Sequence, residues 1–411
     1  MLSEQSVATV RATLPVVGGA IGEISERFYA GLFAARPELL RDLFNRGNQA
    51  AGTQRQALAG SIAAFATYLV DHPDDRPDAM LGRIAHKHAS LGVTAEQYAL
   101  VHEHLFAAIA DVLGEAVTPA VAAAWDEVYW LMANALIAIE KRLYEERGGS
   151  EWREWEVVGR VEETADVATF RLRPADGRPA ADFRAGQYVS VQVELPDGAR
   201  QIRQYSLSAA PGSPLRQISV KRVRGGTAPD GEVSNHLHAR VDVGDRLRVS
   251  APYGDLVLVE NPAGNLAGNG TAAPLLLASA GIGVTPIVAM LGQLADTGHQ
   301  GPVVVVHGDR SPAEHALRAD HEAYAGKLPD ASVHFWYEEG AHHYEGGADA
   351  SHRTGRVDLT GIAVAKGTRA YLCGPLPFMR AVRAQLIGKG VAPADIHYEV
   401  FGPDLWLAQE S

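Results

Sequence analysis

The chain has 411 residues, which is too long for one ordinary hydrophobic core and predicts two or three domains. Its composition, 46% hydrophobic and 21% charged, is that of a globular protein. A formal net charge of −12 argues against nucleic acid or an anionic membrane surface as a partner. The single cysteine, Cys373, excludes an internal disulfide and any cluster held by several thiolates.

No pattern in the sequence predicts export or membrane insertion. The first residues lack the basic region and apolar run of a signal peptide. We identify Pro274–Pro286 as the most apolar stretch, and it is too short to span a bilayer and contains glycines. Because a lone cysteine also fits a reducing compartment, we expect a cytoplasmic protein without stable membrane insertion.

The N-terminal part, residues 1–147, carries helical periodicity. Apolar residues recur at helical spacing from Leu58 to Leu69. One helix is predicted to begin at Thr94, where Gln97 completes a capping box, and another at Thr118, where proline follows at the first helical position. Short connections between such helices indicate an all-α domain.

The pattern changes twice after this domain. The linker Gly148–Ser150 is followed by short β-rich runs, which predict an antiparallel β-barrel in residues 151–262: 156–161, 169–172, 188–193, 217–223 and 246–249. Residues 270–411 alternate buried-type strands with helix-length segments, which predicts an α/β domain with a parallel sheet: strands 274–278, 303–307, 333–337 and 369–373. The fold class is therefore multidomain, with α, β and α/β parts in that order.

Two glycine turns follow predicted strands of the α/β part. The strand Leu275–Ser279 runs into the turn Ala280–Pro286, whose glycines let a pyrophosphate approach the next helix. A second turn follows Cys373 at the same carboxyl edge of the sheet. A plain tight turn is the alternative for the glycine pair. The candidate nucleotide-binding residues are Gly281, Gly283, Thr285, Pro286, Cys373, Gly374 and Pro375.

Two further motifs indicate a flavin. Arg203-Gln204-Tyr205-Ser206, which we place at the start of a strand, offers a guanidinium to a phosphate and a phenol and hydroxyl to an isoalloxazine ring. The alternative is an ordinary strand with an exposed arginine. The C-terminal run Tyr398–Pro403 could place an aromatic ring beside the flavin, or simply bury one.

In this order, the motifs resemble those of the ferredoxin–NADP reductase superfamily, and with the helical N-terminus the whole chain resembles the bacterial flavohaemoglobins. The resemblance implies a globin domain, an FAD-binding barrel and an NAD(P)-binding domain, with haem b, FAD and NAD(P)H as cofactors. It further implies that FAD is held by the Arg203–Ser206 motif. The other residues implied in cofactor binding are Tyr188, Val233, Ser234, Glu399 and Phe401.

Residue chemistry alone does not choose the iron ligand. Four histidines compete: His86, His88, His102 and His104. Ile84 and His88 share one helix face. The resemblance selects His88 as the ligand, with Lys87 as a neighbour of the haem or its propionates.

The resemblance also implies a distal wall across the haem, formed by Tyr29, Phe44, Gln54 and Leu58. Gln54 and Leu58 are four residues apart and project from one helix face. A buried Tyr29 phenol needs a hydrogen-bond partner, and bound dioxygen is a suitable one. Pure packing is the alternative for Phe44 and Leu58.

On the proximal side, the resemblance implies a supporting pair, Tyr98 and Glu140. Glu140 lies in an apolar stripe, where a carboxylate is costly unless it is paired. A hydrogen bond from the second ring nitrogen of His88 would remove that cost and raise the basicity of the ligand. The alternative is an exposed charge at a helix end.

The resemblance implies a nitric oxide dioxygenase, in which NAD(P)H reduces FAD, FAD reduces haem, and the ferrous-oxy haem converts nitric oxide to nitrate. Composition and spacing do not themselves identify nitric oxide. The alternatives are a flavin-dependent haem reductase acting as an oxygen sensor, a hydroperoxide reductase, and a globin-coupled sensor whose C-terminal half is degenerate. We expect a monomer with small-molecule partners, dioxygen, nitric oxide and NAD(P)H, and no nucleic acid. A lipid in the distal pocket is left open.

The sequence does not assign a single role to several further residues. A longer loop before Val233 leaves either Gly226 or Gly231 at the flavin pyrophosphate, and a second insertion, residues 261–273, is expected to be a surface loop. The adjacent His342 and His343 favour a solvated loop over a metal site, since neighbouring side chains point apart. Arg310 favours NADPH and Asp309 opposes it, so the preferred nucleotide stays open.

Overall fold

The computed structural model describes residues 2–149, 152–225, 229–258, 267–268, 271–340 and 350–402. Its first described part is helical, as predicted. The helices are α1 (Glu4–Ala35), α2 (Pro37–Asp42), α3 (Arg46–Ala50), α4 (Thr53–Asp71), α5 (Asp78–Leu91), α6 (Ala95–Leu113) and α7 (Pro119–Glu146).

Local signals explain where these helices begin and end. The predicted capping box is present at α6, where the Thr94 side chain and Gln97 cap each other's backbone groups. At α7, the Thr118 hydroxyl accepts a hydrogen bond from the Val121 amide, and proline fills the first position. Gly92 ends α5 in the left-handed conformation with φ of 78°.

Among the described residues, α1 is long and apolar enough to cross a membrane by length and composition alone. The helix also supplies core residues of the helical domain, because Ile24, Phe28 and Leu32 are buried in its hydrophobic cluster. A core helix of a soluble protein passes the same test.

The second part is an antiparallel sheet of order β4-β3-β6-β1-β2-β5 with one short helix. Its elements are β1 (Arg153–Thr164), β2 (Val167–Pro174), β3 (Tyr188–Glu194), β4 (Arg200–Ser206), β5 (Arg216–Lys221), α8 (Glu232–Arg240) and β6 (Arg246–Val249). A bridge between Leu207 and Ile218 joins the two edges and closes the barrel.

One prediction about this barrel is wrong. The Arg203–Ser206 motif ends β4 and does not begin a strand, because β4 starts at Arg200. The reason is pairing with β3, whose Tyr188 lies opposite Ser206 and whose Glu194 lies opposite Arg200. The motif therefore lies at the carboxyl end of its strand.

The third part is the predicted parallel sheet, with strand order β12-β11-β10-β9-β13-β14. Its strands are β9 (Leu275–Ala280), β10 (Val303–Asp309), β11 (Ala331–Tyr337), β12 (Ala350–Thr354), β13 (Arg369–Cys373) and β14 (Ile396–Glu399). Its helices are α9 (Val284–Asp296), α10 (Arg318–Ala325) and α11 (Leu376–Gly388). A pair of two-residue antiparallel strands, β7 (Ala267–Gly268) and β8 (Thr271–Ala272), precedes the sheet in the chain.

This sheet extends the prediction by two edge strands, β12 and β14. The chain order reverses on the two sides of β9, so a crevice forms at the carboxyl edge where open α/β sheets bind ligands. Gly226, His342 and His343 lie outside the described residues, as does most of the insertion at 261–273. The fold class of α, then antiparallel β, then parallel α/β is confirmed.

Candidate functional site

An apolar cavity of about 460 Å³ extends from the helical core to the barrel and the C-terminal segment. This volume lies in the range of small-molecule sites. The predicted residues of the helical domain that line it are Tyr29, Phe44, Gln54, Leu58, Lys87, His88 and Tyr98. From the other two domains it is lined by Tyr188, Arg203, Gln204, Ser206, Glu399 and Phe401.

Three helices bring together a triad at this cavity, in which Tyr98 and Glu140 are buried and His88 is partly exposed. His88 Nδ1 lies 2.8 Å from the Tyr98 hydroxyl and 2.9 Å from Glu140 Oε1. The Tyr98 hydroxyl donates to the same carboxylate oxygen at 2.5 Å. Glu140 is only 2% exposed, so the alternative of a helix-end charge in solvent is wrong.

The triad determines which nitrogen of His88 faces the cavity. A carboxylate accepts but does not donate, so Nδ1 carries the ring proton and Nε2 keeps its lone pair. Burial, followed by the charge of Glu140, raises the pKa of Tyr98 well above its ordinary value, so Tyr98 remains a hydrogen-bond donor. This is the arrangement expected of an imidazole that binds a metal through Nε2.

The other three candidate histidines have different surroundings. His86 Nδ1 accepts a hydrogen bond from the Gly254 amide of the barrel domain at 3.1 Å. His102 lies 2.7 Å from Asp126 and stacks on aromatic neighbours. His104 lies beside α1. Of the four, His88 is the one that lines the cavity.

The same cavity is also lined by the buried phenol of Tyr29, which is 5% exposed. Burial raises its pKa to about 12, and the side-chain amides of Gln54 and Gln49 oppose the rise. Its ring stacks on Phe33 and meets the edge of Phe44 at 5.8 Å between centroids. Gln49 was not predicted, because nothing in its local sequence distinguishes it from a surface residue.

Helix α5 also holds the C-terminal segment of the chain against the cavity. Lys87 Nζ donates to the carbonyl oxygens of Val400 and Gly402, at 3.1 and 2.8 Å, and lies 3.9 Å from a Glu399 oxygen. The structure therefore places Lys87 at the junction of the domains. Phe401 lines the same cavity and is 45% exposed.

Part of the barrel motif has unmet hydrogen-bonding and charge requirements. Within the described part of the chain, the buried Ser206 hydroxyl has no hydrogen-bond partner, and the guanidinium of Arg203 has no carboxylate partner. Burial lowers the pKa of Arg203. A desolvated cation and an orphaned hydroxyl are costly, so both fit a bound anionic group such as a flavin phosphate.

The remaining residues of the barrel site have clear positions. Tyr205 packs against the apolar core of the barrel, whereas Gln204 is exposed and reaches Ser90 Oγ of α5 at 3.4 Å. Val233 is fully buried, and Ser234 Oγ accepts from the Val223 amide at 3.1 Å.

Gly231 packs tightly beside this serine at the start of α8. A Cβ atom at Gly231 would lie 2.7 Å from Val223 Cβ, so glycine is needed there for packing. Its position at the helix N-terminus is compatible with a pyrophosphate.

The two glycine turns of the α/β domain are in direct contact. A Cβ atom at Gly283 would lie 2.2 Å from the carbonyl oxygen of Cys373 and 2.7 Å from the Gly374 nitrogen. Gly281 adopts φ of 52°, which favours glycine. The backbone turns therefore meet at the carboxyl edge of the sheet, as the sequence predicted.

Neighbouring side chains support these turns. Thr285 Oγ1 donates to the Ile282 carbonyl, and Pro286 is buried beside it. Helix α11 begins after Pro375. Burial, and then the charge of Glu399, raises the pKa of the Cys373 thiol well above its ordinary value, so this cysteine is a packing residue rather than a reactive thiolate.

Contacts between the helical domain and the barrel were not foreseen in the sequence. Arg46 lies 2.6 Å from both Asp197 and Glu232, and Glu232 begins α8. The fully buried amide of Gln201 donates to the carbonyls of Arg41, in the last turn of α2, and of Phe44, just after that helix. No local motif marks such residues, since their partners are more than 150 positions away.

Comparison with known families agrees with this architecture. Residues 26–136 match the Globin family, residues 154–258 the oxidoreductase FAD-binding domain and residues 277–384 the oxidoreductase NAD-binding domain. These three domains support haem, FAD and NAD(P)H as the cofactors, as predicted.

Individual proteins are similar along the whole chain. A flavohemoprotein of Rhizobium meliloti (strain 1021) is 40% identical over 99% of this chain and 100% of its own length. The crystal structure of a flavohemoglobin from Malassezia yamatoensis, with bound FAD and heme, has a TM-score of 0.86 and 37% identity and covers 98% of this chain and 100% of its own.

A third similarity concerns the reductase half alone. The FAD/NAD-binding domain of a nitric oxide dioxygenase from Vibrio cholerae O1 biovar El Tor is 35% identical with a TM-score of 0.53, over 61% of this chain and 99% of its own. With full-length identity of 40% to a curated relative and three matching domains in the same order, the chain belongs to the flavohemoprotein family.

Proposed function

We propose that this oxidoreductase is an NAD(P)H-dependent nitric oxide dioxygenase, which joins nitric oxide and dioxygen to give nitrate. The observation that carries the proposal is the hydrogen bond of 2.9 Å between His88 Nδ1 and Glu140, beside a cavity that the buried Tyr29 also lines. The similarity of the reductase half to the corresponding domain of a nitric oxide dioxygenase from Vibrio cholerae supports it.

The bound groups supply the redox chemistry: nicotinamide supplies a hydride, FAD divides it into single electrons, and haem iron supplies the site for the gases. The protein's part on the proximal side is to hold a proton on His88 Nδ1. Glu140 accepts that proton's hydrogen bond, and Tyr98 keeps the carboxylate in place by donating to the same oxygen. An electron-rich imidazole favours oxygen activation over reversible storage.

On the distal side, Tyr29 acts as a hydrogen-bond donor. With a pKa of about 12 its hydroxyl is neutral at physiological pH, so it can donate to a ligand that acquires partial negative charge. Gln54 supplies a second polar group on the same wall. The surrounding residues Phe44 and Leu58 exclude water, which strengthens these hydrogen bonds.

Residues from both halves of the protein line the one cavity. Arg203 and Ser206 are proposed to hold the flavin, and Gln204 joins that site to α5 through Ser90. Lys87 fixes the C-terminal segment beside it. This continuity supports electron transfer from flavin to haem within the chain.

The remaining assignments form part of the same proposal. The nucleotide binds at the meeting turns of Gly283 and Gly374, which need a close backbone approach. We place the domain boundaries at 1–147, 151–262 and 270–411 and propose a cytoplasmic monomer whose partners are dioxygen, nitric oxide and NAD(P)H.

The test is nitric oxide consumption in air with NADH, with nitrate measured as the product. We expect stoichiometric nitrate, and Tyr29→Phe to lower turnover and speed dioxygen release. Tyr68→Phe is the matched control, because the Tyr68 hydroxyl pairs with Asp75 on the surface. Equal turnover and equal dioxygen release in the two variants would exclude the distal role of Tyr29.

A second measurement separates the dioxygenase from an oxygen sensor on the same scaffold. Stopped-flow mixing with NADH under anaerobic conditions follows flavin and haem reduction separately. A dioxygenase requires haem reduction at least as fast as its turnover. Haem that is reduced much more slowly than nitrate forms would contradict the proposed electron path.

A further inference from the structure

Three histidines of the α/β domain form a buried cluster that the activity above does not use. His307 lies in β10, His321 in α10, and His315 in the segment between them. All three are at most 4% exposed, and one ring nitrogen of each lies within 4.8 Å of the other two. Such a set of neutral nitrogen donors is a typical metal-binding arrangement.

Hydroxyl groups orient two of these rings. His307 Nδ1 lies 2.8 Å from the Ser279 hydroxyl, and His315 Nδ1 lies 2.9 Å from the Tyr337 hydroxyl. Both rings are therefore held through Nδ1, which leaves Nε2 as the nitrogen directed elsewhere. Metal-binding histidines are held in this way, with the second ring nitrogen hydrogen-bonded to a neighbouring group.

The other nitrogens converge without enough hydrogen-bond partners. His315 Nε2 lies 3.2 Å from His321 Nδ1, and His307 Nε2 lies 3.5 Å from a carboxylate oxygen of Asp309. The Nε2 atoms of His307 and His321 are buried and have no hydrogen-bond partner within the described ranges. Each such atom costs roughly 1–3 kcal/mol, and an ion bound at His307 Nε2 would offset that cost there.

The chemistry of the cluster suits a cation that accepts lone pairs. Burial, and then the neighbouring histidines, lowers the pKa values of His315 and His321 well below the ordinary value, so both rings are neutral near pH 7. Two nitrogens bound to one tetrahedral zinc ion lie roughly 3.3 Å apart, which follows from zinc–nitrogen bonds of about 2.0–2.1 Å. The 3.2 Å separation of His315 and His321 matches this spacing.

We propose that His307, His315 and His321 bind one divalent ion of the zinc class, with the Asp309 carboxylate, 3.5 Å from His307 Nε2, as a charged neighbour of the site. The rings of His307 and His315 stack with centroids 3.9 Å apart, so binding one ion requires their planes to rotate about the Nδ1 hydrogen bonds to Ser279 and Tyr337. The site is structural: it joins α10 and the preceding segment to the end of β10, beside the nucleotide edge of the sheet. It is independent of the proposed dioxygenase activity.

The experiment is elemental analysis of the purified holoprotein, expressed with added zinc and washed with a chelator. We expect about one zinc per haem iron in the wild type and loss of zinc in His315→Gln and His321→Gln. The matched control is His299→Gln, which changes a buried histidine outside the cluster. Zinc-free wild type, or zinc retained in both cluster variants, overturns the proposal.

Two further measurements test whether zinc binds elsewhere on the protein and whether a variant loses zinc only because it misfolds. A double variant, His342→Gln with His343→Gln, must retain zinc, since loss there would assign the ion to that loop. Zinc-edge X-ray absorption of the wild type, which needs no variant, should show nitrogen and oxygen ligands at about 2.0–2.1 Å with imidazole scattering. A sulfur ligand, or a shell of water oxygens alone, overturns the site.

Discussion

Replacing Glu140 by glutamine tests the proximal triad most directly. The substitution keeps the size and one acceptor oxygen but removes the charge that both His88 and Tyr98 contact, at 2.9 and 2.5 Å. A hydrogen bond to a charged group contributes about 1.5–3 kcal/mol, of which a neutral replacement retains part. Since about 1.4 kcal/mol corresponds to a tenfold change in a rate or equilibrium constant, we expect dioxygenase turnover to fall on the order of 10–100-fold.

The same change should raise the reduction potential of the haem iron. A less basic His88 stabilises the ferric state less, so the potential shifts upward while the affinity for NADH is unchanged. Spectroelectrochemical titration measures the potential, and stopped-flow mixing measures turnover. Tyr98→Phe removes a donor that competes with His88 for the same carboxylate oxygen, so it should strengthen the His88–Glu140 hydrogen bond and give a smaller shift in the opposite direction.

The matched control is Glu145→Gln on the same helix, because Glu145 is exposed and pairs only weakly with Lys141 at 3.9 Å. Its potential and turnover should equal those of the wild type. If Glu140→Gln behaves like Glu145→Gln in both measurements, the triad does not tune the ligand. The reasoning from the buried contacts would then fail.

Three other changes have definite expected results. Because burial raises the Tyr29 pKa to about 12, the hydroxyl stays protonated below that pH. Between pH 7 and 10, the pH–rate profiles of the wild type and of Tyr29→Phe should therefore have the same inflections. Gly283→Ala places a Cβ 2.2 Å from a backbone oxygen and should lower kcat/KM for NADH by roughly tenfold or more in flavin reduction, whereas Gly388→Ala, which meets nothing within 4 Å, should not. Arg46→Gln removes two ion pairs of 2.6 Å between domains and should slow flavin-to-haem transfer about two- to fivefold by stopped flow, in line with about 0.5–1 kcal/mol. Exposed Arg27→Gln within the globin should leave the rate unchanged.

Local sequence patterns were sufficient to predict the order of the three domains and the fold type of each. Helical spacing and the caps at Thr94 and Thr118 depend on residues within one turn, so they can be read without knowledge of packing. The glycine turns at Gly283 and Gly374 are equally local, because each follows a buried strand. Family resemblance, rather than residue chemistry, singled out one histidine among four.

Contacts between distant residues needed the folded chain. His88, Tyr98 and Glu140 come from three helices, and Gly283 must be glycine because Cys373, on another strand, packs against it. The strand position of the Arg203 motif was misjudged, since it depends on register with β3. Periodicity reports which face of an element is buried but not which partner covers it. The triad and the histidine cluster therefore follow from packing, which brings side chains from separate elements within hydrogen-bonding distance.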